Sequence, residues 1–166
     1  MRNTFIPAAV LIPVFADKTN ELRLIFTRRS EKVQHHKKQI SFPGGMVDVQ
    51  DHNLWKTALR ETEEEIGIKP HQIFYVCELP SIKTISQFEV TPFVGFIHSD
   101  FQIIPNADEI DTVFDAPVEH FLRPESVHHE EIEFSGERIA FPHYYYNDHE
   151  IWGATGRILK SLLDRW

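Results

Sequence analysis

The sequence predicts a layered α/β domain, and three observations predict it. Two β-rich runs, residues 8–15 and 22–28, open the chain. A stretch at 53–66 holds good helix formers with neither Gly nor Pro and ends at Gly67, where a helix C-cap is expected. Further strand-like runs then lead to a second helical stretch near the end. Strands mixed with two helices, undivided by a repeat, a low-complexity tract or a Pro/Ser-rich linker, point to helices packed on a sheet in one domain, residues 1–166.

Bulk properties narrow the function. The 166 residues suit one domain, and 17 Lys and Arg against 25 Asp and Glu leave a net charge of −8. That balance disfavours a phosphate-backbone binder, so no nucleic-acid partner is expected. Cys77 is the only cysteine, which excludes an intrachain disulfide, a zinc ribbon or a thiol redox pair and suits a reducing, cytoplasmic setting. The apolar opening at 5–15 is interrupted by Pro7 and Pro13 and reads as a first strand rather than a signal peptide. No run approaches the roughly 20 apolar residues of a membrane helix, so no membrane partner is expected.

The elements follow in order. Asp17-Lys18-Thr19-Asn20 reads as the turn between the first two strands. Residues 30–39 are polar and basic, with Lys32, Lys37 and Lys38 beside His35 and His36, and lead into a sharp turn at Ser41-Phe42-Pro43-Gly44-Gly45. After the helix at 53–66, strands are expected at 73–79, 90–97 and 112–114, with Pro92 marking an edge or a bulge. Residues 130–146 read as a hairpin around Ser135-Gly136, with His128 and His129 as exposed loop residues. In that hairpin Tyr144, Tyr145 and Tyr146 alternate in direction, for packing or for stacking on a base. A last helix is expected from about 150 to 163, weakened at its start by Gly153 and Gly156.

The 53–66 helix is the informative feature. At about 100° per residue, Trp55, Leu59, Thr62 and Ile66 share one stripe, and Glu61, Glu64 and Glu65 share a neighbouring one. Carboxylates three and four residues apart repel unless a cation sits between them. Arg60 reaches Glu64 but does not neutralise Glu61, Glu63, Glu64 and Glu65 together. Hard oxygen ligands in this number favour Mg²⁺ or Mn²⁺. A solvated acidic face is the plain alternative. The upstream Gly44-Gly45 turn shifts the balance, because it lets backbone approach the helix and lend a carbonyl oxygen to a metal.

Residues 45–68 resemble the Nudix box, whose pattern is Gly, five residues, Glu, seven residues, then Arg-Glu-apolar-any-Glu-Glu-any-Gly-apolar. Arg60-Glu61-Thr62-Glu63-Glu64-Glu65-Ile66-Gly67-Ile68 matches the second half except at Thr62. In the first half Asp51 stands for Glu, and eight residues rather than seven separate it from Arg60. Both departures are similar to the coenzyme A diphosphatase branch. So are His36, Gln39 and Phe42-Pro43-Gly44-Gly45, together with Val90-Thr91-Pro92-Phe93-Val94-Gly95 and Ile151-Trp152-Gly153-Ala154-Thr155. Gln34 and Lys38 depart from it, where the branch usually has Arg and Gly.

The resemblance implies an α/β/α sandwich around a mixed sheet, with the box as loop, helix and loop. It implies Glu61 and Glu65 as metal ligands, with Glu64 as a further ligand or a base. The Gly45 carbonyl joins them, and Arg60 orients Glu64. A later-loop carboxylate, Glu109 or else Asp108, is the candidate base. His36, Lys38, Gln39 and Phe42 are the candidate substrate contacts, with Lys32, His35 and Lys37 close by; a basic loop that only offsets the acidic chain is the alternative. The implied activity is hydrolysis of coenzyme A or acyl-CoA to 3′,5′-ADP and (acyl-)phosphopantetheine. Another nucleoside diphosphate derivative, or a binding module without turnover, is the alternative. A homodimer is compatible with the resemblance.

Overall fold

The computed structural model describes residues 4–32, 38–98, 100–134 and 137–166. The chain opens with β1 (Ile6–Ala16) and β2 (Leu22–Arg29), joined by a turn in which the Asp17 carboxylate accepts from the Thr19 and Glu21 backbone N–H groups. Short strands β3 (Ile40–Ser41) and β4 (Gly44–Met46) precede the helix α1 (Leu54–Ile66). Then come β5 (Ile73–Glu78), β6 (Ile82–Lys83), β7 (Phe88–Ile97), β8 (Ile110–Pro117) and the single-turn α2 (Val118–Phe121). The chain ends with β9 (Val127–Phe134), β10 (Glu137–Tyr146), β11 (His149–Ile151) and α3 (Gly153–Leu163).

Two sheets form among the described residues. The larger runs β3-β2-β1-β7-β5, with β4 also on β1, β6 on β7 and β8 on β2. It is mixed because β1 and β7 are parallel and the other pairs antiparallel. Period-two alternation gives each strand two faces. Ala8, Ile12 and Val14 of β1, with Leu24 and Phe26 of β2, point into one core beside Ile158, Leu159 and Leu162 of α3. Ala9, Leu11 and Ile25 point the other way, against Ala58, Leu59 and Ile66 of α1. A helix therefore covers each face of the sheet, as expected.

The differences from the sequence reading have local causes. Pro92 sits in β7, which is paired on both sides, so it marks neither an edge nor a bulge. Its carbonyl accepts from Leu79 N–H, so its missing N–H faces the break between β5 and β6 and leaves the β1 ladder whole. The register shift on this side falls instead in β5, between Tyr75 and Cys77. The strand expected at 112–114 extends over Ile110–Pro117, because its polar residues Asp111 and Asp115 pair with Arg28 and Arg23 of β2. The last helix starts at Gly153, not near 150: Glu150 belongs to β11, the third strand of a small β11-β10-β9 sheet. His128 and His129 are exposed, as expected, but lie in β9 rather than in a loop. The Ser135-Gly136 turn lies outside the described residues. Tyr144 is buried and Tyr145 exposed, as strand alternation requires. No helix among the described residues is long and apolar enough to cross a membrane.

Candidate active site

The site is built on α1, whose ends are closely fixed. The Asn53 side chain accepts from Lys56 N–H (2.9 Å) as N-cap, so the helix starts one residue later than expected. At the other end Gly67 adopts φ +77° and donates its N–H to the Glu63 carbonyl (2.9 Å). Thr62, the departure from the usual aliphatic residue, is fully buried because its hydroxyl donates back to the Ala58 carbonyl (2.7 Å). The apolar stripe thus tolerates it.

The carboxylates on α1 are not equivalent. Glu65 is 2% exposed, and burial pushes its carboxyl up to about 8, opposed by Arg29 and reinforced by Glu61 and Glu109. Glu61 is mostly buried and raised as well, chiefly by desolvation, with Arg60 opposing. Glu64 is half exposed, and Glu63 turns away to pair with Lys69 (2.8 Å). Like-charged buried oxygens of this kind favour either a proton or a cation between them.

Backbone reaches this cluster from β4. Gly44 and Gly45 pair with Val10 and Ala9 of β1, and a Gly44 N–H bonds the Glu65 carboxylate. A Cβ on Gly45 would stand 2.5 Å from Glu61 Oε1, so only glycine allows this approach. Arg60 ties the loop to the helix. It donates to Asp51 from Nε (3.1 Å) and Nη2 (2.9 Å), to Glu61 Oε1 (2.8 Å), to Glu64 Oε2 (3.1 Å) and to the Met46 carbonyl (3.0 Å). Asp51, 6% exposed, is held well below the usual carboxylate range by that guanidinium. The aspartate with one extra residue therefore still meets the arginine.

Glu109 comes to the same place by a route the sequence does not display. Asn106 N–H donates to the Glu65 carbonyl (2.9 Å), while Asn106 Nδ2 donates to Glu109 Oε1 (3.3 Å). Ser30 N–H fixes the Glu109 carbonyl (2.8 Å). Glu109 is close enough to raise both Glu61 and Glu65, whereas Asp108 turns to Lys32 (3.5 Å). Arg29, at the end of β2, also faces the cluster, its Nη1 3.8 Å from Glu65 Oε1. Neither Arg29 nor Asn106 was singled out from sequence, since only tertiary contacts bring them there.

The expected substrate contacts fare differently. Phe42 is buried in the core, stacked on Phe26 at 4.8 Å, because the strand pairing of its neighbours turns it inward; its ring is not offered to a ligand. Lys38 is exposed and ion-paired with Glu31. Gln39 is half-buried, and its carbonyl accepts from Arg29 N–H (3.0 Å). His36, with His35, Lys37 and Gln34, lies outside the described residues. Among the described residues no three His, Cys, Asp or Glu side chains are grouped so as to hold a metal ion by themselves. Yet Glu65 Oε2 is buried without a partner. An orphaned buried oxygen beside a second, partly buried carboxylate and a glycine backbone is a donor set that fits a hard dication. Mg²⁺ needs only one or two carboxylates, since waters and substrate phosphates complete its shell.

The family model described as the NUDIX domain matches residues 5–151. The chain is 39% identical over 158 residues to "Nudix hydrolase 15, mitochondrial" of Arabidopsis thaliana, covering 92% of this chain and 55% of that protein. It is also 39% identical over 156 residues to "Peroxisomal coenzyme A diphosphatase NUDT7" of Mus musculus, covering 90% of this chain and 66% of that one. The chain thus spans just over half and about two thirds of these relatives. Among solved structures, the MutT protein of Methanosarcina mazei Go1 superposes with a TM-score of 0.62 at 16% identity, over 99% of this chain and 96% of that one, a likeness of fold alone. With the family model spanning the sheet, the capped acidic helix and the glycine turn, the chain belongs to the Nudix family.

Proposed function

We propose that the chain is a metal-dependent diphosphatase that cleaves coenzyme A or acyl-CoA to 3′,5′-ADP and (acyl-)phosphopantetheine. The observation that carries this reading is the pair of buried Glu65 and partly buried Glu61 beside Gly45, with Glu65 Oε2 left without a partner. The choice of substrate is supported by the mouse relative, whose name states that activity for it. Nudix hydrolases generally need divalent metal ions.

Glu61, Glu65 and the Gly45 carbonyl would hold Mg²⁺ or Mn²⁺, with Glu64 as a further ligand. A bound dication supplies neutralisation of the diphosphate oxygens and a lowered pKa for attacking water. Arg60 fixes the carboxylates of Glu61 and Glu64 from one guanidinium, so their spacing does not depend on the ion. Glu109, held by Asn106, or else the more exposed Glu64, takes the proton from the attacking water. Gln39, whose carbonyl accepts from Arg29 N–H, joins His36 and Lys38 as the proposed phosphate contacts. A cytoplasmic setting belongs to the same proposal and rests on Cys77 being the only cysteine.

A second reading is hydrolysis of another nucleoside diphosphate derivative, such as ADP-ribose, a dinucleotide or a nucleotide sugar. The Lys38 pair with Glu31 favours it, because Lys38 must leave that partner to reach a 3′-phosphate. Mass spectrometry of products from a panel of coenzyme A, acetyl-CoA, ADP-ribose, NADH and diadenosine polyphosphates separates the two. Release of 3′,5′-ADP with the highest kcat/KM supports the first reading. Preference for another substrate supports the second, and tight binding without product would make the chain a sensor instead.

A further inference from the structure

Two buried side-chain atoms among the described residues have no hydrogen-bond partner, Arg29 Nε and Glu65 Oε2. They belong to the two members of one ion pair, with Arg29 Nη1 3.8 Å from Glu65 Oε1. A buried polar atom left unpaired has lost its hydrogen bonds to water and gained none in return. Arginine ordinarily avoids that loss by closing a two-pronged contact on a carboxylate. Here both backbones are pinned. Arg29 lies at the register shift of β2 against β8, its N–H bonded to the Gln39 carbonyl (3.0 Å) and its carbonyl to Lys38 N–H (3.1 Å). Glu65 is tied through its carbonyl to Asn106 (2.9 Å) and through its carboxylate to Gly44. The guanidinium and the carboxylate face each other across a gap the fold does not close. Glu61 and Glu109 add like charge to Glu65, and Arg60 is committed to Asp51, Glu61, Glu64 and the Met46 carbonyl.

We propose that Arg29 is the internal counter-cation of the metal-free site, a positioning residue that holds the buried Glu65 carboxylate and that a divalent ion displaces on taking that carboxylate up. This rests on the reading of Glu65 as a metal ligand. A dication touching oxygen directly outcompetes a single charge held at a distance. Arg29 therefore sets how tightly the site takes metal: close enough to hold the Glu65 carboxylate in the metal-free site, loose enough to yield.

Titration calorimetry with Mn²⁺, and thermal melts after chelation, both in mildly alkaline buffer on the full chain, test it. Arg29→Gln binds Mn²⁺ about fivefold tighter than the parent, while Arg29→Lys, which keeps the charge, stays within about twofold. In the chelated protein Arg29→Gln lowers the Tm, but not in a Glu65→Gln background, where there is no charge to hold. Arg29→Met serves the same comparison if the Gln variant does not fold. Mn²⁺ affinity unchanged or weakened by loss of the Arg29 charge overturns the inference, as does an equal Tm loss in both backgrounds, which would make Arg29 merely a packing residue. Glu65→Gln that binds Mn²⁺ like the parent sinks the ligand reading instead, and the chelated melts still judge Arg29 on their own.

Discussion

Asp51 and Gly45 show how single residues shape the site. Asp51 takes three of the Arg60 contacts, so Asp51→Asn releases the guanidinium and with it Glu61 and Glu64. We expect kcat/KM to fall by about 10–100-fold, as for other residues that orient ligands, with the protein still folded by circular dichroism. Gly45→Ala places a methyl carbon 2.5 Å from Glu61 Oε1 and pushes that carboxylate out of position. Mn²⁺ affinity by calorimetry should drop in this variant while the fold persists; unchanged affinity would show that Glu61 is not needed where it stands. The role of Arg60 was only partly legible in the sequence. Its reach to Glu64 follows from helical spacing, but its grip on Asp51 and Met46 requires the loop to fold back. Phe42 was misread because proximity to the glycine turn says nothing about which way a side chain points.

At the scale of elements, α1 was the most legible because everything that defines it is local: an N-cap, a Gly- and Pro-free run, an αL glycine and an apolar stripe. Asn53→Ala should lower stability by about 1 kcal/mol in urea unfolding with little effect on turnover. The small β9-β10-β11 sheet was less legible, since a three-residue strand carries no periodicity and Gly153 blurs where the following helix begins. His143 holds this sheet together, with Nδ1 2.7 Å from Glu150 Oε1 and Nε2 3.1 Å from Glu130 Oε2. The hydrogen bond from His143 keeps the Glu150 carboxyl below its ordinary value. A depressed carboxyl contributes stability that is present above the unfolded value and is lost as pH falls through the folded one. The Tm difference between the parent and Glu150→Gln should therefore shrink on acidification. A difference independent of pH would contradict this. The pair is exposed, so the effect is small.

For the whole molecule, the sheet is a device for placing a few groups from distant parts of the chain. The parallel pairing of β1 with β7 gives α1 its floor, β4 brings glycine backbone to the helix, and β2 and the segment before β8 deliver Arg29 and Glu109. The layered α/β class was legible from the alternation of strand runs and helices. The placement of Arg29, Asn106 and Glu109 around Glu65 was not, because contacts across 36 or more positions leave no spacing to read. In the proposed function, the Glu61 and Glu65 carboxylates of α1 bring a divalent ion to a diphosphate. The most direct test is release of 3′,5′-ADP from coenzyme A, measured with Mn²⁺ and with chelator, for the parent and for Glu65→Gln. Metal-dependent release by the parent is expected, with a loss of more than about 100-fold in the variant, beyond what losing an orienting neighbour costs. Release that survives chelation, or a Glu65→Gln protein that turns over like the parent, would contradict that proposal.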